Sequence, residues 1–135
     1  SLEIDSARLS LDKKRASLSR AILEGQSSLS LVESEMLSQL QMFHASESEK
    51  ERSISTSTRG NRRISSSERL RLENLLSRER ISNHVIISSY REKLAGMTGK
   101  LDKLKTELKG LEKQIERGER KKKRERKKSV MNRLS

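Results

Sequence analysis

Between Ile87 and Ile115 the apolar side chains recur in alternating steps of three and four: Ile87, Tyr90, Leu94, Met97, Leu101, Leu104, Leu108, Leu111 and Ile115. With Ile87 at a, the a positions hold Ile, Leu, Leu, Leu and Ile, and the d positions hold Tyr, Met, Leu and Leu. A mean spacing of about 3.5 residues keeps such a stripe on one side of an α-helix, where a second helix must cover it. The spacing therefore predicts a coiled coil. It also requires helical backbone through Gly96, Gly99 and Gly110, which fall outside the stripe. Each of these glycines weakens an isolated helix by about 1 kcal/mol against alanine, so the helix needs a packing partner. The a and d residues do not follow the β-branched-a, leucine-d pattern of parallel dimers. A hairpin within one chain and pairing between chains are both open to such a seam.

The rest of the chain agrees with a helical protein of thin core. Of 135 residues 37% are charged and 30% hydrophobic, and Phe43 and Tyr90 are the only aromatics. That is too little bulky apolar material for a compact α/β or all-β enzyme core. The lack of cysteine excludes disulfides and thiolate metal sites. Proline is absent too, so long helices can run unbroken. The expected fold class is all-α: long helices with a C-terminal coiled coil, in a helical hairpin or extended bundle rather than a compact globule.

Four segments are expected. Residues 1–45 form an amphipathic helical segment with one apolar set at Ile4, Ala7, Leu11, Leu18, Ile22, Leu29, Val32, Met36, Leu40 and Phe43. A sparser set at Leu2, Leu9, Ala16, Leu23, Ser30 and Leu37 falls on another side, which suggests a helix packed between neighbours. Gly25 is a soft point that costs about 1 kcal/mol against alanine in mid-helix and leaves room for a kink or break. Residues 46–64, SESEKERSISTSTRGNRRI, read as a Ser-rich flexible linker, because serine and threonine compete for backbone hydrogen bonds and Gly60-Asn61 signals a turn. Residues 65–116 form a long helix, opened by the capping box Ser65-Ser66-Ser67-Glu68 and carrying heptads from Ile87. Residues 117–135 form a basic tail. Gly118 takes the next d position and Lys122 the next a, so the seam ends there.

Residues 117–133, RGERKKKRERKKSVMNR, carry most of the chain's net charge of +12. Arg120, Lys121, Lys122, Lys123, Arg124, Arg126, Lys127 and Lys128 are the candidate anion-binding residues. They suit nuclear import, nucleic-acid phosphates or an acidic membrane surface. The block holds no aromatic residue, so stacking on single-stranded bases has no support. Ser65 follows Arg62-Arg63-Ile64 and is a candidate phosphosite. A phosphate there would sit where a helix N-terminus favours negative charge. Tyr90 at a d position could fix register through its polar tip, although an ordinary seam tyrosine is the simpler reading.

No catalytic residue, cofactor or metal is expected. His44 and His84 are the only histidines and have no cysteine to join them. Gly96-Met97-Thr98-Gly99-Lys100 lies inside the heptads and so is no phosphate loop. No small-molecule substrate is expected either. The reading is a non-enzymatic coiled-coil assembly or scaffold protein. It would bind itself or another helical protein through the heptad seam and present its basic segment to an anionic surface. The alternatives are a nucleic-acid-binding or nuclear protein that uses the basic tail, and a peripheral membrane-trafficking helical module. The opening SLEIDSARLS has no charged and then apolar run, so no signal peptide is read there. The expected location is intracellular, cytoplasmic or nuclear.

Overall fold

A computed structural model describes residues 2–59 and 65–134, with side chains for residues 2–55 and 65–134. The fold class is all-α. Helix α1 runs Leu2–Arg59 and helix α2 runs Ser66–Leu134. The chain divides into two units, Ser1–Ser28 with Met97–Ser135, and Leu29–Gly96. In each unit a stretch of α1 packs against a stretch of α2 in the opposite sense.

In the first unit Lys122 lies opposite Asp5, Glu119 opposite Arg8, and Leu101 beside Gly25. Ile22, Leu101, Leu111 and Ile115 are its buried core, with Met97, Leu104, Leu108 and Leu18 half-buried around them. In the second unit Val32, Leu76 and Ile87 are buried, and Tyr90 and Leu94 are half-buried. All nine residues of the stripe from Ile87 to Ile115 thus turn inward, each in its own unit. The other apolar set of α1 stays uncovered: Leu2, Leu9, Ala16, Leu23, Ser30 and Leu37 are all exposed.

Three local expectations change. First, α1 continues through the stretch read as a linker and reaches Arg59. The serines do not divert the backbone there. Ser53 Oγ donates to the carbonyl of Glu49 at 3.1 Å, four residues back, a bond that leaves the helix intact. The intervening Glu, Lys and Arg are good helix formers. Residues 60–64, including Gly60-Asn61 and Arg62-Arg63, lie outside the described residues. Second, the basic segment is no separate tail, since α2 carries it to Leu134. Straight-chain Lys, Arg and Glu lose little rotamer freedom in a helix, and Arg133 in the last turn complements the helix dipole. Third, α1 passes through Gly25 without a break. A Cβ at Gly25 would lie 2.7 Å from Leu101 Cδ2, so the missing side chain makes room for the facing leucine.

At the start of α2 Ser65 takes the capping position that the box assigns to it. Ser65 Oγ accepts a hydrogen bond from the Glu68 N–H at 3.2 Å, and the Ser65 carbonyl accepts one from the Arg69 N–H at 3.0 Å. The first satisfies one of the donors that every helix N-terminus leaves open.

Candidate functional site

The cationic helix lies in the first unit. Arg120, Lys121, Lys123, Arg124, Arg126, Lys127 and Lys128 are exposed, and Lys122 is half-buried. Two of the eight have acidic partners within the unit. Arg120 Nη2 donates to Glu116 Oε1 at 2.8 Å on the same helix, and Lys122 Nζ donates to Asp5 Oδ1 at 3.1 Å. Lys122 holds the Asp5 carboxyl below the usual aspartate range through that hydrogen bond and its charge. Arg8 pairs with Glu119 at 2.8 Å, and this bond holds the Arg8 guanidinium above its ordinary value. Among the described residues Lys121, Lys123, Arg124, Arg126, Lys127 and Lys128 form no ion pair. Positions four apart face each other on a helix, so Lys123 and Lys127, or Arg124 and Lys128, repel. An anion laid along the helix would relieve that repulsion.

Gly118 has a second consequence. Its empty d position leaves a cleft of about 160 Å³ lined by Ile4, Ala7, Leu11 and Ile115, with Arg8, Glu119 and Lys122 at the rim. The wall is aliphatic, and the rim groups are already engaged with one another or with Asp5.

Beyond the basic block, Val130, Met131 and Leu134 are 54%, 72% and 83% exposed. Periodicity did not single them out, because three apolar residues make no repeat. The signal available was their place immediately after the lysines.

The second unit contains a polar layer that a search for apolar spacing passes over. Going back along α2 from Tyr90, the inward positions are Ile87, Asn83, Glu79, Leu76 and Leu72. Two successive steps of four, 79 to 83 to 87, shift the register as a stutter does. This shift is why Leu70, Leu72, Leu75 and Leu76 show no single rhythm. Glu79 and Asn83 face Ser46, Glu47 and Lys50 of α1. Ser46 Oγ donates to Glu79 Oε1 at 2.6 Å, Lys50 Nζ donates to Glu79 Oε2, and Asn83 Nδ2 donates to Glu47 Oε1 at 3.1 Å. Arg80 reaches Glu47 and Glu51 from the rim. These contacts hold the Ser-rich part of α1 against α2 where leucines run out.

Lys50, and after it Ser46, hold the Glu79 carboxyl below the usual glutamate range by hydrogen bonding to its ionised form. A carboxylate with a lowered folded-state value stabilises the fold at any pH above its unfolded value. That contribution is lost as pH falls through the lowered value. Amide protection factors of residues 29–96 in the full chain, taken relative to the intrinsic exchange rate at each pH, should therefore fall on acidification to below the ordinary glutamate range. In Glu79→Gln that acid response should be weaker, and an unchanged response would show that the layer carries no pH-dependent stability.

The remaining candidates are placed as follows. Ser65 is exposed and caps α2. The arginines that precede it lie outside the described residues. His44 and His84 line one groove of the second unit with Leu40, Phe43, Glu47 and Arg80. The antiparallel register brings the two histidines together despite their distance in sequence. Among the described residues no three His, Asp or Glu side chains converge as a metal site. Tyr90 is half-buried beside Val85, Ile86, Ser89 and Lys93. The seam residues Ile87, Tyr90, Leu94, Met97, Leu101, Leu104, Leu108, Leu111 and Ile115 are buried or half-buried within their own units, so a partner that took up the whole seam would have to displace α1. Among the described residues no helix is long and apolar enough to cross a membrane. Scans against protein-family models, curated proteins and solved structures match nothing.

Proposed function

We propose that this chain is a non-enzymatic helical assembly protein that presents a basic helix to an anionic surface. The observation that carries the reading is the set of six cations, Lys121, Lys123, Arg124, Arg126, Lys127 and Lys128, exposed on unbroken helix without acidic partners. Such a row costs helix stability through self-repulsion, and an anionic partner converts that cost into affinity. Assembly is supported by Leu2, Leu9, Ala16 and Leu23, which stand exposed at seven-residue spacing on the first unit. A second copy or another helix could cover them and leave the inward seam undisturbed.

Retention of the full chain on a heparin column tests the anionic half. The wild type should be held at physiological ionic strength and released as salt rises. Lys123→Glu, Lys127→Glu and Lys128→Glu together should abolish retention. A wild type that passes straight through overturns the reading. Sedimentation across concentration tests the assembly half: association should be lost in Leu9→Asp, Leu23→Asp, and a wild type that stays monomeric at all concentrations rejects it.

A further inference from the structure

The last turns of α2 say more about the surface than charge alone. On a helix, positions four and seven apart stand over one another. Lys123, Lys127, Val130 and Leu134 therefore form one row, and Arg120, Arg124, Lys127 and Met131 form the row beside it. The side of α2 that faces α1 is marked by Lys122, bonded to Asp5, and by Ile115 in the core. Both rows lie well round the helix from that side. A strip of cations thus leads directly into three uncovered aliphatic side chains on the same outward face.

Phosphates of a nucleic-acid duplex would engage the lysines and arginines but leave Val130, Met131 and Leu134 without a role. A bilayer interface uses both features. Its acidic headgroups attract basic residues, its acyl boundary accepts apolar side chains, and lysine stems lie along the apolar zone with their ammonium groups in the headgroups. Charge complementarity and exposed aliphatics select the same occupant.

We propose that residues 120–134 of α2 lie on an anionic lipid surface, with the two cationic rows in the headgroup layer and Val130, Met131 and Leu134 inserted beneath it. This rests on the anionic-surface reading above and names that surface as a lipid bilayer. Three side chains are a small insertion, so the contact needs charge and apolar burial together.

The test is cosedimentation of the full chain, at physiological ionic strength, with vesicles of phosphatidylcholine alone or with about one-third phosphatidylserine. The wild type should bind the anionic vesicles and not the neutral ones. The variant Val130→Ser, Met131→Ser, Leu134→Ser should bind them at least about tenfold more weakly, from the loss of buried apolar area, with unchanged heparin retention. Met131→Leu, which keeps the apolar surface, should bind like the wild type. Vesicle binding by the triple variant equal to that of the wild type overturns the insertion while the anionic-surface reading stands. Binding to duplex DNA without binding to vesicles does the same. Failure of the wild type to bind either vesicles or heparin removes both.

Discussion

Leu101→Asp should abolish the cooperative thermal transition of the chain, with the loss of protection concentrated in residues 1–28 and 97–135. Leu101 is 5% exposed and touches the position where Gly25 has no side chain. Truncating a leucine in such a place costs about 2–5 kcal/mol. An aspartate there adds a charge with no partner, which costs several kcal/mol more or forces protonation. Small domains hold roughly 5–15 kcal/mol in all, so the sum takes most of it. Leu23→Asp is the control, on the exposed side of α1 in the same unit, and it should shift monomer stability by no more than about 0.5 kcal/mol. Circular dichroism melts with hydrogen exchange distinguish the two. Equal melting of Leu101→Asp and wild type would mean that the inward seam is not packed.

The glycines should respond in opposite directions. At Gly96, Gly99 and Gly110 an added Cβ meets nothing within 4 Å. Alanine there removes only the entropic penalty of glycine, a gain of about 1 kcal/mol per site and roughly 3 kcal/mol for the three together. At Gly25 the added atom would collide with Leu101 Cδ2 at 2.7 Å and crowd Cγ at 3.4 Å. Gly25→Val should therefore lose about 1–3 kcal/mol through overpacking. Leu101→Ala should recover part of that loss, because the two positions share one space and their effects are not additive. Denaturant titration reads all of these. A destabilised triple-alanine variant, or a Gly25→Val no less stable than wild type, would contradict the packing described.

The charged residues show where reading the sequence falls short. Ser46, Glu47 and Lys50 look like linker material because their side chains favour water or local backbone bonds when taken one at a time. Opposite Glu79 and Asn83 they have partners, and the stretch is helix. The same holds for His44 and His84, which share a groove only because α1 and α2 run in opposite senses. Periodicity sees which face a residue occupies. It does not see what stands across from that face.

Gly25 reverses in the same way. Its cost to an isolated helix is a property of the backbone and is visible in the sequence. Its use, admitting the Leu101 side chain, exists only once the second helix is in place.

The amino-acid order alone determined that the chain is helical, that Ser65 caps the start of α2, and that the residues from Ile87 to Ile115 turn inward. Those properties depend on neighbours within a few turns: spacing, capping oxygens and the absence of proline. Tertiary structure decided what covers that stripe, which carboxylates find cations, and which leucines remain in water. These outcomes depend on register between segments far apart in the chain, and helical periodicity carries no term for it.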